Sequence, residues 1–287
     1  MKRSLILLLL TTFLATVSAQ EEAKPEDKSA PVRFTFETGI LIDNPTVATP
    51  YKGGVELQIH HRFSLIENYK NLFGIYGAAN TRIGLNFGIT DRLMLGLGTT
   101  KDYKLQDIQW KYLILRQKED NSMPVSLSYY GNIVLDLQRK ETFGPVDRYK
   151  DIHRLSYFNQ LILARKFNDR FSMQVAPSVI YFNAVPQFTN ELKYKNLNYG
   201  ISAGAKLTVV GSQSIIIEYD QLLTKQDLEE QPKPNLSLGW EIGTATHAFQ
   251  VFVANYSQII YQRNLLYNTN DFTKGDYLVG FNITVRF

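Results

Sequence analysis

The last eleven residues, 277–287, constrain the fold more than any other stretch of the chain. From Tyr277 to Phe287 every odd-numbered residue is large and apolar, and from Gly280 onward the even-numbered residues are small, polar or charged. Successive side chains of a β-strand point to opposite faces, so this alternation predicts a strand with one apolar face. The strand ends on an aromatic residue, which is typical of the closing strand of a bacterial outer-membrane barrel. The alternative is the last strand of a soluble sheet.

Phe287 is therefore the predicted insertion signal. A terminal aromatic residue of this kind is the feature that the barrel-assembly machinery recognises in outer-membrane proteins. The expected partners are that machinery, through the C-terminal strand, and the lipid of the outer membrane.

The first 19 residues have the pattern of a secretory signal peptide. Residues 1–3 are basic at two positions, residues 5–10 are apolar, and residues 17–19 form a small-x-small cleavage site. The apolar run is too short to span a bilayer, and no run of roughly 18 apolar residues follows it, which argues against a helical membrane protein. The sequence contains no cysteine, which excludes a lipid-anchored lipoprotein, disulfides and thiolate metal sites.

The charge balance does not favour a nucleic-acid partner. The chain has 31 basic and 27 acidic residues, and removal of Lys2 and Arg3 with the signal leaves 29 basic residues and a formal charge of +2. A nearly balanced chain lacks the basic surface that nucleic-acid binding requires. The 17 tyrosines and 17 phenylalanines are instead residues that favour strands and membrane interfaces.

Three segments follow the signal. Residues 20–33 are rich in charge and proline, which predicts a disordered periplasmic leader. Residues 34–53 are apolar but interrupted by a turn at Asn44-Pro45, and they form either an extra strand or a segment tucked against the mouth of a barrel. Residues 54–287 show no break in composition, which indicates one domain.

From Gly54 onward about twelve segments alternate between apolar and polar residues, although the phase of residues 155–167 is ambiguous. Tight turns follow the second, sixth, eighth and tenth segments. The long connections all fall at the other end, at residues 64–80, 138–152, 183–196, 221–234 and 257–275. This separation of short turns and long connections to opposite ends favours a membrane barrel over a soluble sandwich. The predicted fold is all-β: a transmembrane antiparallel β-barrel of about 12 strands with short periplasmic turns and long extracellular loops.

Several runs of residues also resemble one family of Gram-negative proteins. They are residues 72–78 (LFGIYGA), 98–102 (GTTKD), 156–160 (SYFNQ), 164–169 (ARKFND), 174–178 (QVAPS) and 232–239 (PKPNLSLG). This family is catalogued as domain of unknown function five-seven-seven-seven, and the resemblance covers residues 34–287. It implies an outer-membrane barrel fold and supplies no activity, substrate or catalytic residue.

The polar set of alternating residues is predicted to line the lumen, because lipid-facing positions must be apolar. The charged members of this set are Glu56, Arg82, Lys111, Asp136, Lys206, Glu218, Asp220, Glu241 and Arg286. Mixed charges of this kind fit either a charge-lined channel or a network of ion pairs in a closed core. Many other inward positions are glycine, which widens a lumen unless something occupies it. The apolar loop 64–80 is the predicted occupant.

These features predict a non-enzymatic channel or transporter for a small polar solute, without a cofactor. The alternative is a structural or partner-binding barrel with a filled lumen, whose loops or leader dock a periplasmic or surface protein. An outer-membrane phospholipase is less favoured, because neither His153 with Ser156 nor His247 with Ser237 belongs to an acyl-transfer motif.

No metal site is predicted either. His60 and His61 point to opposite faces of one strand and do not chelate one ion together. The polar stretch 268–271, with Asp276, lacks the carboxylate spacing of a Ca²⁺ loop.

Overall fold

The computed structural model describes residues 29–67, 69–188 and 191–287, without the side chain of Tyr69. The predicted signal peptide, and the predicted leader up to residue 28, lie outside this part of the chain. No helix among the described residues is long and apolar enough to cross a membrane.

Among the described residues, twelve antiparallel strands close into one barrel, as the sequence predicts. They are β1 (Val55–Leu65), β2 (Asn80–Gly88), β3 (Leu93–Thr100), β4 (Leu105–Leu115), β5 (Ser126–Asp136), β6 (Leu155–Lys166), β7 (Phe171–Phe182), β8 (Leu197–Val210), β9 (Gln213–Leu222), β10 (Asn235–Gly243), β11 (His247–Ala254) and β12 (Leu278–Arg286). Each strand pairs with its neighbours in sequence, and β1 pairs with β12.

The seam between β1 and β12 closes the wall. Glu56 lies opposite Arg286, and the backbone of Phe287 extends the ladder beyond β12. The N–H of Phe287 donates to the carbonyl of Val55 over 2.9 Å, and the N–H of Val55 donates back over 3.1 Å. A closed wall leaves no strand edge unpaired, which is the condition for a sheet to stand in lipid.

Short turns and long loops lie at opposite ends of the barrel. The turn end carries residues 89–92, 116–125, 167–170, 211–212 and 244–246. The loop end carries residues 66–79, 137–154, 183–196, 223–234 and 255–277, together with the short β3–β4 connection at residues 101–104. Short 3₁₀ helices occur at Tyr69–Asn71, Asp102–Lys104, Lys140–Phe143, Val146–Arg148, Asp151–Arg154 and Phe272–Lys274.

The wall is apolar outside and mostly polar inside. On β2, Ile83 and Leu85 are 47 and 40 % exposed, whereas Arg82 and Asn86 are 3 and 2 % exposed. This alternation separates a lipid-facing surface from a polar lumen.

Residues 35–49 form a hairpin inside the lumen, which we call the N-terminal hairpin. Its tip is a tight turn in which the N–H of Leu41 donates to the carbonyl of Asn44 over 2.9 Å. Leu41, Ile42 and Asn44 are all buried. The sequence predicts either an extra strand or a segment at the barrel mouth for residues 34–53. The structure instead places most of these residues within the barrel.

The N-terminal hairpin enters from the turn end. The N–H of Val32 donates to the carbonyl of Gln117 over 2.9 Å, and the N–H of Glu119 donates to the carbonyl of Ala30 over 3.1 Å. The last residues of the predicted disordered leader are therefore ordered, because their extended backbone pairs with the β4–β5 turn.

A second segment, residues 255–268, enters the lumen from the loop end, and we call it the C-terminal insert. It connects β11 to β12 and contains the short helix α1 (Tyr261–Tyr267). Tyr256, Gln262 and Leu266 on this insert are fully buried.

The loop between β1 and β2 does not fill the lumen. Phe73 and Tyr76 on this loop are 55 and 76 % exposed. The prediction that residues 64–80 fold inward is wrong, because the N-terminal hairpin and the C-terminal insert occupy the lumen instead.

The inserted segments also explain the ambiguous phase of residues 155–167. The inward residues Phe158 and Ile162 of β6 are fully buried, while Leu161 and Leu163 are exposed on the outer face. β6 is thus apolar on both faces, and Phe158 stacks on Tyr261 of the insert with ring centroids 5.3 Å apart.

Candidate functional site: a lumen closed from both ends

One side chain of the wall holds the tip of the N-terminal hairpin. Glu218 on β9 accepts hydrogen bonds from the backbone N–H groups of Ile42 (2.9 Å), Asp43 (3.2 Å) and Asn44 (3.0 Å). The Nδ2 atom of Asn44 donates to Glu218 and to Asp220, each over 2.5 Å. Successive backbone N–H groups that converge on one carboxylate form an anion-binding concavity. The tip is therefore shaped around the Glu218 carboxylate.

Asp43 connects the hairpin to both other parts of the lumen. Its carboxylate forms a 3.0 Å salt bridge with Nη2 of Arg62 on β1 and accepts a hydrogen bond from Nδ2 of Asn264 on the C-terminal insert. Burial raises the pKa of Asp43 to about 7, against the opposing effect of the Arg62 charge. The wall, the hairpin and the insert thus meet at one buried carboxyl group.

Arg62 is itself held on three sides. Its Nη1 atom donates to Oδ1 of Asn282 over 2.9 Å, and its guanidinium lies 4.5 Å from the ring centroid of Phe252. Nδ2 of Asn282 donates to the carbonyl of Ile42 over 2.6 Å. Gly280 makes room for this arrangement, since an added Cβ atom there would lie 2.5 Å from the Phe252 ring.

Polar contacts also anchor the base of the hairpin near the turn end. Nζ of Lys111 donates to the carbonyl of Gly39 over 3.2 Å. Nη2 of Arg286 forms a 2.7 Å salt bridge with Oε1 of Glu37. The hairpin is thus bound along its length by charged side chains of the wall rather than by an apolar core alone.

Inward glycines provide the space that the inserted segments occupy. An added Cβ atom at Gly204 would lie 2.5 Å from Cδ2 of Leu41 on the hairpin, and one at Gly200 would lie 3.4 Å from Cδ1 of Leu265 on the insert. Residues 35–49 and 255–268, rather than the predicted loop 64–80, occupy the space that these glycines leave.

The C-terminal insert is fixed by both polar and aromatic contacts. Nε2 of Gln262 donates to Oδ1 of Asn132 over 3.0 Å and to Oγ of Ser156 over 3.2 Å. The ring of Tyr261 packs edge-on against Tyr130 with centroids 5.4 Å apart. These contacts close the loop end of the lumen.

The structure places eight of the nine charged residues predicted to line the lumen in the buried interior. Glu56, Arg82, Lys111, Asp136, Lys206, Glu218, Asp220 and Glu241 are each at most 7 % exposed. Arg286, the ninth, is half-buried at the turn end. Ion pairs among the described residues join members of this set, such as Arg82 and Arg286, to charged residues outside it, and two inserted segments occupy the lumen.

Several charged residues that contact this set are missing from the sequence prediction, among them Glu37, which pairs with Arg286. Arg62 and Asp107 lie in the inward phase at the loop ends of β1 and β4, so the alternation of apolar and polar residues identifies both as inward positions. Asp107 pairs with Arg82 through two hydrogen bonds of 3.0 and 2.6 Å. Asp43 and Arg263 lie on the inserted segments, which are not strands of the wall, so the alternation of apolar and polar residues does not identify them.

The serines considered for hydrolytic chemistry have other partners. Oγ of Ser156 accepts a hydrogen bond from Gln262, and Oγ of Ser237 accepts one from Tyr256 over 3.1 Å. Among the described residues neither serine is hydrogen-bonded to a histidine. No nucleophile and base pair is therefore assembled at these positions.

The residues considered as metal ligands are also separated or occupied. His60 is buried in the lumen, whereas His61 faces outward and stacks on Phe281 with centroids 4.9 Å apart. Asp271 caps its own turn by accepting from the N–H of Thr273 over 2.9 Å. The described residues contain no group of three or more histidines and carboxylates that could hold a metal ion.

The barrel resembles solved outer-membrane channels in fold. The NanC porin aligns over 81 % of this chain and 98 % of its own length, with a TM-score of 0.51 and 8 % sequence identity. An outer membrane channel from Pseudomonas putida F1 aligns over 84 % of this chain and 97 % of its own, with a TM-score of 0.52 and 11 % identity. A search of curated proteins gives no significant sequence match.

A family model covers the hairpin and the barrel together. The model described as membrane bound beta barrel domain (DUF5777) matches residues 36–287, which include the N-terminal hairpin from its second residue, all twelve strands and the C-terminal insert. The matched range agrees with the resemblance found in the sequence. The chain belongs to this family of membrane-bound β-barrel proteins.

Proposed function

We propose that this protein is an outer-membrane channel for a small polar solute, closed in the described state by the N-terminal hairpin and the C-terminal insert. The composition of the lumen is the main observation that supports this proposal. The wall presents buried charges such as Glu218 and Arg62 to two short inserted segments, and buried charges are costly for a barrel that only has to be stable. Twelve strands also give a lumen wider than that of filled eight-stranded barrels.

The orientation follows from the loops. Barrels of this class place short turns on the periplasmic side and long loops outside. The N-terminal hairpin and its leader are then reached from the periplasm, and the C-terminal insert from the cell surface. A periplasmic protein that binds the leader is the expected partner for opening the turn end, alongside the outer-membrane lipid and the assembly machinery that recognises Phe287.

We propose that the protein is not an enzyme. Support comes from the partners of Ser156 and Ser237, which are an amide and a phenol rather than a base. The charged and polar side chains of the lumen instead bind the N-terminal hairpin and the C-terminal insert.

Planar-bilayer recordings test the channel. The mature wild-type protein is expected to show little steady conductance. A variant that lacks residues 35–49 and has a short Gly-Ser linker in place of residues 257–274 is expected to conduct continuously, and each single change to give intermediate openings. A variant shortened in the exposed loop 66–79 is the control and should behave as wild type. Folding of each variant is checked by the shift in gel mobility between unheated and heated samples.

A structural or partner-binding barrel is the second candidate, and the occupation of the lumen by two segments of the chain favours it. If the folded variant without both inserted segments fails to conduct, the channel proposal is overturned in favour of this candidate. A stable complex with a periplasmic or surface protein, isolated from cross-linked membranes, would then identify the role.

A further inference from the structure

The loop end of the barrel contains a cavity that closure of the lumen does not explain. Its volume is about 380 Å³, within the range of roughly 300–1,000 Å³ typical of small-molecule sites. The loops 137–154 and 183–196, the β3–β4 connection and the C-terminal insert all contribute to its lining. The described structure thus has an open cavity directly outside the closed lumen.

One wall of the cavity is a cluster of aromatic rings centred on Tyr267 of α1. Tyr267 packs edge-on against Phe182 and Tyr194, with ring centroids 5.5 and 4.9 Å apart. Aliphatic residues, among them Leu155 and Val185, complete this part of the lining. Such a wall offers flat apolar contact and few hydrogen-bond partners.

The same wall carries a guanidinium group, that of Arg263, whose carbon lies 5.0 Å from the ring centroid of Tyr267. Arg263 of α1 lies 3.7 Å from the ring centroid of Tyr103, and its closest carboxylate oxygen, on Asp136, is 3.7 Å away. That distance is too long for a hydrogen bond. Within the described residues, the buried Nε atom of Arg263 has no hydrogen-bond partner. A guanidinium in this position is suited to bind an added carboxylate.

A second cation increases the positive charge of the cavity. Nη1 of Arg154 donates to the carbonyl groups of Asp136 and Gln138 over 2.7 and 2.6 Å, and Nε donates to the hydroxyl of Tyr149. In the described part of the chain no carboxylate lies within 4.0 Å of the Arg154 guanidinium. Among the residues that line the cavity, two guanidinium groups therefore accompany one carboxylate, and the lining carries a net positive charge.

The β3–β4 connection is bent to bring an aromatic ring under Arg263. Tyr103 has a φ of 61°, a left-handed conformation that a bulky residue rarely adopts. Strain of this kind persists where the surrounding structure requires it and often marks binding sites. Here it holds the Tyr103 ring against the guanidinium that borders the cavity.

We infer that this cavity binds a small aromatic carboxylate, with the carboxylate paired to Arg263 and the ring packed against Tyr267. A sugar acid paired to Arg263 would place hydroxyl groups against the ring of Tyr267 and the aliphatic side chains of Leu155 and Val185, which offer them no hydrogen bonds. An uncharged aromatic compound would leave the Arg263 guanidinium without a hydrogen-bonded carboxylate. The inference rests on the proposed channel function and names its solute class, although binding itself does not require an open lumen.

Saturation-transfer NMR with sodium benzoate tests the site on the mature protein in lipid nanodiscs, with empty nanodiscs as the blank. Saturable benzoate binding is expected in the wild type and at least tenfold weaker binding in Arg263→Gln, because a charge-assisted hydrogen bond is lost. Arg170→Gln, at the turn end, is the matched control and should bind as wild type. If Arg263→Gln fails to fold, Arg263→Lys is used, and it should weaken binding because Lys lacks the planar fork.

Three results would overturn the inference. They are the absence of saturable benzoate binding to wild type, equal binding of benzoate and benzyl alcohol, and tighter binding of galacturonate than of benzoate. Conductance of the variant without both inserted segments, combined with no benzoate binding, would leave the channel proposal intact and reject only this site. Benzoate binding to the wild type, combined with no conductance of that variant, would support this site and reject the channel proposal.

Discussion

At the scale of single residues, the closed state depends on a few buried charges that each connect two segments. Glu218 joins β9 to three backbone N–H groups of the N-terminal hairpin, and Asp43 joins that hairpin to Arg62 and to the C-terminal insert. A buried polar group that loses its partner costs far more than an exposed one. Single substitutions at these positions therefore act on the position of a whole segment.

Glu218→Ala is expected to loosen the N-terminal hairpin. The substitution leaves three buried backbone N–H groups without an acceptor, at about 1–3 kcal/mol for each. Glu218→Gln keeps one acceptor oxygen and should have a smaller effect. Hydrogen exchange of the peptide covering residues 38–48, followed by mass spectrometry, measures the change.

Glu141→Ala, in an exposed loop, is the control for Glu218 and should leave exchange of the 38–48 peptide unchanged. Equal protection in wild type and Glu218→Ala would show that the carboxylate does not hold the hairpin.

The docking of the hairpin should weaken as the pH rises through about 7. Burial raises the pKa of Asp43 from its ordinary value of 3.8 to about 7, so the folded state favours the protonated form. This contribution is complete below about pH 4 and is lost as Asp43 ionises. Arg62, Asp220 and Glu218 are the charged groups that face Asp43.

Hydrogen exchange of residues 40–46 between pH 5 and 9, corrected for the intrinsic exchange rate, tests this dependence. Protection should fall with rising pH in wild type, and the fall should be smaller in Asp43→Asn. A wild-type profile that rises with pH would contradict the assignment.

At the scale of elements, the barrel wall was predictable and its contents were not. The alternation of apolar and polar residues sets the phase of strands such as β2, because each face meets a different solvent. Residues 35–49 and 255–268 lie inside the barrel rather than in its wall. No alternation between a lipid-facing and a lumen-facing side therefore marks their position in the sequence. The inward glycines indicated space that a segment could occupy, but a residue such as Gly204 carries no information on which segment does so.

Gly204→Ala is expected to weaken hairpin docking by about 1–3 kcal/mol, because its methyl group would overlap with Leu41. Gly200→Ala is the matched control on the same strand, since its closest neighbour is the rotatable hydroxyl of Ser178 at 3.0 Å. Leu41→Ala combined with Gly204→Ala should recover part of the loss. Hydrogen exchange of the hairpin peptide measures each variant, and a strictly additive double variant would disprove the contact.

At the scale of the whole molecule, the last residue closes the wall without supporting its interior. The backbone of Phe287 pairs with Val55, while its side chain is 66 % exposed. Phe287→Ala should therefore change the unfolding of the purified barrel by less than about 0.5 kcal/mol, as surface substitutions do. It should reduce the amount of folded protein in the outer membrane of expressing cells, because the proposed recognition by the assembly machinery is lost.

Membrane fractionation of cells that express the variant, with Phe249→Ala as the control for another outward aromatic residue, measures the effect. Normal assembly of Phe287→Ala would reject its role as an insertion signal.

Both limbs of the N-terminal hairpin pass through the turn end, and both limbs of the C-terminal insert pass through the loop end. Each segment can withdraw through its own mouth without threading past the other and without opening the wall. Withdrawal of one segment exposes the interior to one compartment while the other remains sealed. Continuous passage therefore requires two separate events, one on each side of the membrane, to coincide.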